Sequence, residues 1–215
     1  LTSLGDIMTN IPVDIAYAKM FVVASNTNCY FPVAIIVSML MQNKDIRLVQ
    51  KFGWRQLSKE TTCDGLGLLD IWIFLTKEFN KLKEEYDDRK YIKEKMDEIL
   101  DKYGINKRNF WAARNKFYKE LVDLINDEEY NEEDILNGKF DRNAIRLALA
   151  YGYSNFVCKD SYNIKTKRFI MVSDKGFCIN DYRKYIVGKP LIIERPGRKN
   201  LHILTNAIQI TEEEL

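Results

Sequence analysis

Histidine is almost missing from this chain: of 215 residues, only His202 is one. A Ser–His–Asp or Cys–His arrangement needs an imidazole beside its nucleophile, and His202 falls in an apolar, strand-like stretch instead. Cysteine is sparse too. Cys29, Cys63, Cys158 and Cys178 are far apart with no CxxC pair, whereas a zinc site needs closely spaced thiolates or imidazoles. They read as buried, reduced thiols of an intracellular protein. No GxxxxGK[ST] loop is present to cradle nucleotide phosphates, and no Asp-Glu-x-His or similar acidic pair follows a strand to hold magnesium. The pairs Asp87-Asp88, Glu128-Glu129 and Glu132-Glu133 lie in charged, solvated runs. Paired catalytic acids need a partly apolar cleft to separate their pKa values. The chain therefore carries no self-contained active site and calls for no cofactor of its own.

Long hydrophobic runs are also lacking. The longest, Cys29 to Met41, is about 13 residues and includes Pro32 and Ser38, against about 20 for a membrane span. No basic region leads into an apolar run at the N-terminus, so no signal peptide is expected. The expected location is intracellular, cytoplasmic or nuclear, or a virion for a viral protein. The first residue is Leu1 rather than a methionine, and the expectation is a piece of a longer polypeptide.

What is present is apolar and aromatic enough to fold. Hydrophobic residues make up 46% and aromatics 12%, which argues against disorder and allows one good core or two small ones. The net charge of +2 hides a division. From Lys139 to Ile210 there are 14 Lys and Arg against five Asp and Glu, a net of +9 that leaves −7 for the remainder. Such a split suggests that the second part faces a polyanion.

The first 150 residues carry helical periodicity. Asp14 can cap a helix from Ile15 to about Ser25. Pro32 suits the first turn of a very apolar helix to Met41, which must lie buried. A longer amphipathic helix begins near Leu68 and fades into the charged stretch from Lys77 to Lys83. Tyr86-Asp87-Asp88 reads as a turn with an N-cap, Gly104 as a C-cap, and Asn106 and Asp141 as N-caps of further helices. After Gly152 the period drops to about two. Phe156–Cys158, Phe169–Val172, Phe177–Ile179, Leu191–Ile193 and Leu201–Ile210 are short apolar or β-branched runs separated by turn residues. About five such strands suit a small closed barrel, which leaves no exposed edges. The expected fold class is α+β, an N-terminal helical bundle followed by a small OB-like β-barrel.

An ordered set of segments resembles the helicase-associated region of DEAH-box and related DExH helicases. Leu1-Thr2-Ser3-Leu4-Gly5, Ile11-Pro12-Val13-Asp14 and Ala18-Lys19-Met20 resemble the family's LTxLG segment, its turn and its first helix. Cys63 to Trp72 is similar to a later family helix, with Gly65 where a histidine is usual. The stretch from Ile105 to Leu121, with Ala113 and Arg114, is similar to another, and Ile145-Arg146 through Tyr153 to the helix and turn that introduce the family's barrel. The family's His-Pro-Ser-Ser segment has no clear counterpart, Asn180 being the nearest candidate for its histidine.

The resemblance implies an organisation and a role. Residues 1–14 would end a winged-helix domain, 15–138 form a helical (ratchet) domain and 139–215 an OB-fold domain. The chain would be the accessory part of an ATP-dependent RNA helicase. It would hold single-stranded RNA, or DNA, against RecA-like motor domains of the same polypeptide, where ATP and magnesium would bind. A glycine-patch activator is a further implied partner. The residue bias toward Lys, Asn, Ile and Tyr fits an AT-rich genome, such as that of a large DNA virus or a protist. Two other readings of the residues stay open, a stand-alone nucleic-acid-binding module and a protein-interaction scaffold.

Within that reading the candidate strand contacts are basic loops. Lys165, Lys167 and Arg168 precede one strand, and Arg195, Arg198 and Lys199 flank Pro196-Gly197. OB folds track phosphates with such groups. Lys107 and Arg108 lie at a helix N-terminus, where backbone N–H groups favour phosphate. Trp54, Trp72 and Trp111 are expected in core packing rather than as stacking platforms, and Arg114 and Arg146 as structural ion partners.

Overall fold

The computed structural model describes residues 5, 13–48, 50–60, 62–122, 131–154, 157–163, 168–171, 176–178, 185–193, 196 and 201–210. The chain is α+β. Seven α-helices among the described residues come first: α1 (Ile15–Asn26), α2 (Tyr30–Leu40), α3 (Asp64–Glu85), α4 (Arg89–Tyr103), α5 (Lys107–Lys116), α6 (Glu132–Leu136) and α7 (Arg142–Gly152). Five strands among the described residues follow: β1 (Val157–Asn163), β2 (Arg168–Met171), β3 (Gly176–Cys178), β4 (Tyr185–Ile193) and β5 (Leu201–Ile210). None of the described helices is long and apolar enough to cross a membrane.

Local chemistry sets most helix ends. Asp14 Oδ1 accepts from the Ala16 N–H at 2.9 Å ahead of α1. Asp88 accepts from the N–H groups of Lys90 and Tyr91 ahead of α4, and Asn106 from that of Asn109 ahead of α5. Gly104 ends α4 in the left-handed region at φ 67°, where a residue without Cβ is least strained. Pro32 sits in the first turn of α2, which buries every residue from Pro32 to Met39.

Two compact units interleave along the chain. One comprises the described residues of Leu1–Ala24, Thr61–Gly65 and Asn143–Leu215, the other those of Ser25–Glu60 and Leu66–Arg142. In the first, α1 buries Tyr17, Met20 and Phe21, and α7 buries Ile145, Ala148 and Leu149. Gly152 is where their backbones meet. A Cβ there would lie 2.5 Å from Met20 Cγ and 2.6 Å from the Ala16 carbonyl oxygen. The methionine can move aside but the carbonyl cannot. Gly152→Ala is expected to destabilise by about 1–2 kcal/mol, because a clash of about 1–3 kcal/mol outweighs a helix-propensity gain of up to about 1 kcal/mol. Thermal unfolding measures it, and a stabilised variant would contradict the close approach.

The strands of this unit pair as a circuit. β1 pairs antiparallel with β2 and with β4, β2 with β3, and β4 with β5, while β3 runs parallel to β5. The order is β1-β2-β3-β5-β4, with β4 back on β1. β4 begins earlier than its apolar run suggests. Its residues Tyr185 to Val187 pair with both neighbours, and its register with β5 shifts between Val187 and Lys189. Pro190 follows that shift, opposite Leu204 and beyond the part that pairs with β1, so its missing N–H removes no bond to β1. Three contacts tie the first residue of α3 and the two residues before it to β5. Cys63 bridges to Ile208, the Gln209 N–H donates to the Thr62 carbonyl at 2.8 Å, and the Ala207 N–H donates to Asp64 Oδ2 at 3.0 Å. Arg146 Nη1 adds a bond to the Gln209 carbonyl from α7.

The second unit is helical. Its core holds α2 together with Trp72, Leu69, Leu75, Met96, Leu100, Phe110 and Phe117. The segment between α2 and α3 closes on the α4–α5 turn: Arg47 bridges to Ile105, the Asn106 N–H donates to Ile46, and the Leu48 N–H to Gly104. Arg142, at the end of this unit, donates to Asp70 at 2.8 Å and Glu60 at 3.0 Å, while the Ser58 hydroxyl donates to Asp70.

Candidate nucleic-acid interface

The cations singled out in the sequence fall in different places. Lys165, Lys167, Arg195, Arg198 and Lys199 lie outside the described residues. Arg168 opens β2, with its Cα opposite Asn163 and Cys178. Lys107 and Arg108 begin α5. Lys107 Nζ donates to Asp101 at 2.6 Å. That bond holds the Asp101 carboxyl below its usual range and raises the Lys107 ammonium in return. Asn106 already occupies the Asn109 N–H at the same helix end, so one cation and one backbone N–H there have partners inside the chain. Arg108 remains exposed.

A second group, not anticipated from the sequence, surrounds a cavity of about 800 Å³ in the helical unit. The last turns of α3 bring Phe79 and Lys83, the turn after α3 brings Tyr86 and Asp87, and α4 brings Arg89, Ile92 and Lys93. Trp111, Arg114 and Asn115 of α5, then Tyr118 and Lys119, complete the wall. The spacing of these five places them on one helical face. Phe117 to Leu121 forms a π turn, closed by the Val122 N–H on the Phe117 carbonyl at 3.0 Å. Such turns are frequent at functional sites.

Four aromatic rings and five cations thus face one opening, with Asp87 the only acid among the lining residues. Lys83 Nζ lies 4.7 Å from the Phe79 ring centroid. Trp111 packs edge-on to Phe79 at 5.6 Å and donates Nε1–H to Asp97 at 2.9 Å, which fixes the indole plane. Beneath them Arg114 is only 9% exposed. Its guanidinium donates to Thr76 Oγ1 at 2.9 Å and lies within 5.0–5.8 Å of the rings of Phe79, Tyr118, Trp72 and Phe110. Among the described residues its partners are thus a hydroxyl and ring faces, not the carboxylate expected of it. Glu132 of α6 reaches it through a relay, since the Tyr118 hydroxyl donates to Glu132 Oε1. Burial chiefly pushes the Tyr118 pKa up, Arg114 opposes and Glu132 assists, so the phenol stays a donor. A buried cation cushioned by rings, without a directly bonded carboxylate, projects positive potential into the cavity.

A smaller aromatic and basic patch surrounds the 3₁₀ turn Gly53–Gln56. Phe52 is 57% exposed. Arg47 and Arg55 lie over Trp54 at 5.2 and 5.4 Å, and Arg55 also covers Phe52. Arg47 is neutralised by Asp45 at 2.6 Å, so the Trp54 ring already has cationic partners. The three tryptophans therefore divide: Trp72 is core at 1% exposure, while Trp54 and Trp111 are half-buried.

The arrangement can hold an anion bearing a flat ring, since cations attract the one and aromatic faces accept the other. It offers no nucleophile–base pair, and among the described residues no group of three His, Cys, Asp or Glu is placed to hold a metal ion. No protein-family model matches the chain and no curated protein matches it either.

Proposed function

We propose that this chain is a non-catalytic, strand-holding accessory region of a DEAH-type RNA helicase. It comprises a ratchet-like helical part and an OB-like barrel, and works with RecA-like motor domains of the same polypeptide that bind ATP and magnesium. The observation that carries the reading is the strand circuit β1-β2-β3-β5-β4, closed by β4 on β1. A circuit of five strands supports an OB-like barrel, and such barrels bind single strands. The net +9 from Lys139 to Ile210 and the aromatic, basic cavity of the helical unit support it from independent parts of the chain. The ordered resemblance of segments from Leu1 to Tyr153 supports the helicase assignment.

Competition binding to a labelled single-stranded RNA tests the reading. The chain is expected to bind single-stranded RNA, to bind single-stranded DNA in the same mode, and to be displaced weakly by duplex RNA of the same sequence. It should hydrolyse no ATP. Equal competition by duplex, or no binding to either single strand, would contradict strand holding. The helicase assignment is tested separately by the reading frame ahead of Leu1. A GxxxxGK[ST] segment there supports a motor in the same polypeptide, and its absence supports a stand-alone module.

A further inference from the structure

We propose that the cavity between the end of α3, α4 and α5 takes up one unstacked nucleotide of a bound single strand, its base against Trp111 and its phosphates on Lys83, Lys93 and Lys119. The proposal rests on the strand-holding reading and adds to it a base-binding site in the helical unit. Three features of the cavity point to a nucleotide. Its walls include aromatic rings from three different segments, Phe79, Tyr86 and Trp111, and every nucleobase presents a π face to such rings whatever its identity. The Trp111 plane is held from behind by Asp97, so the platform is preorganised rather than assembled on binding.

The charge is of the right sign and in the right place. Elsewhere on these helices, four cations are neutralised by neighbours, Lys81 by Glu78, Lys95 by Glu98, Lys107 by Asp101 and Lys116 by Glu120, while Lys77, Lys90, Lys102 and Arg108 lie away from the cavity. Arg89, Lys93 and Lys119 have no such ion pair among the described residues, and Lys83 rests on the Phe79 ring. All four are exposed, free to meet phosphates. Arg114 adds fixed positive charge beneath the rings, where neighbouring water is scarce and screening is weakest. The cavity, at about 800 Å³, falls in the size class of small-molecule sites and has room for a nucleotide.

The experiment measures full-chain binding to a short single-stranded RNA and to the same strand made abasic, for the native chain and two variants. In Trp111→Leu, affinity for the normal RNA is expected to fall about tenfold, the effect of one lost base stack, with little change for the abasic strand. In Lys93→Gln/Lys119→Gln, which alters exposed side chains and leaves the core intact, both strands should weaken. The log–log salt dependence should flatten by about 0.7 for each lost phosphate contact. Tryptophan fluorescence should be quenched by normal RNA in the native chain and markedly less in Trp111→Leu. If native binding is salt-sensitive but neither variant changes it, this inference is overturned while strand holding stands. If the native chain binds no single strand, strand holding itself fails. If the lysine variant instead abolishes capture of an acidic, aromatic peptide and leaves RNA binding intact, the cavity is a peptide site and the inference is overturned.

Discussion

Replacing Trp72 by alanine is expected to lower the stability of the chain by about 3–5 kcal/mol, the range for deleting a large buried aromatic. Trp72 is 1% exposed and sits at the centre of the aromatic core. Its ring lies 5.5 Å from that of Phe117, 6.0 Å from Phe110 and 6.3 Å from Tyr118, with the Arg114 guanidinium 5.2 Å from its centroid. Alanine would remove the transfer energy of the indole and leave a void that packed helices close only in part. It would also take one ring from around Arg114, so the buried cation would lose part of its compensation. With total stabilities of about 5–15 kcal/mol, the loss is a large share of the whole. For a chain of this size it corresponds to roughly 6–20 °C in Tm. Thermal unfolding followed by circular dichroism measures it. A fall of less than about 1 kcal/mol would mean that the indole is not the packing centre.

Gly104→Ala is expected to cost about 2–4 kcal/mol. Gly104 lies at φ 67°, and a Cβ there would sit 2.5 Å from Lys51 Cβ and 2.7 Å from the Lys51 carbonyl oxygen. The left-handed backbone accounts for about 1 kcal/mol, and overpacking against backbone for about 1–3 kcal/mol. The strain also propagates. The Gly104 carbonyl accepts from the Leu48 N–H at 2.9 Å, and Ile105 bridges to Arg47, so moving Lys51 away disturbs the closure of this segment on the α4–α5 turn. Gly138 supplies the control. It has φ 74° with nothing within 4 Å of a built Cβ, so Gly138→Ala should lose only the backbone part, about 1 kcal/mol. Paired thermal melts of the two variants check the argument, and equal losses would contradict the close approach at Lys51.

What could be read from residues alone was local. Asp14, Asp88, Asn106 and Gly104 announce helix ends because their chemistry acts within a few residues, and the apolar run after Cys29 announces a buried helix because its whole surface must leave water. The change of period after Gly152 announces strands, and five are present among the described residues. Harder to read were features made by residues distant in sequence. Thr62 to Asp64 join β5 through its backbone, which no side-chain pattern records. Gly188 falls at the register shift inside β4, between Val187 and Lys189, which depends on the pairing with β5.

The cavity was hidden for the same reason. Its lining comes from several stretches that read differently alone, among them Phe79 and Lys83 as the fading end of a helix, Tyr86 and Asp87 as a turn, and Trp111 as core. Only the packing of α3, α4 and α5 turns them into one aromatic and basic wall. Glu132, in what reads as a solvated acidic run, becomes the acceptor for the Tyr118 hydroxyl. The spacing of Trp111, Arg114, Asn115, Tyr118 and Lys119 was the available signal, a polar and aromatic stripe along a helix whose other face holds Phe110, Ala113 and Phe117.

The most direct test of strand holding is the affinity of the intact chain for single-stranded RNA as a function of salt. Four exposed cations around the cavity, Lys83, Arg89, Lys93 and Lys119, each releasing counterions from one phosphate, predict a log–log slope of about −3, or steeper where other basic residues contribute. A slope near zero, or no measurable binding at low salt, would contradict it.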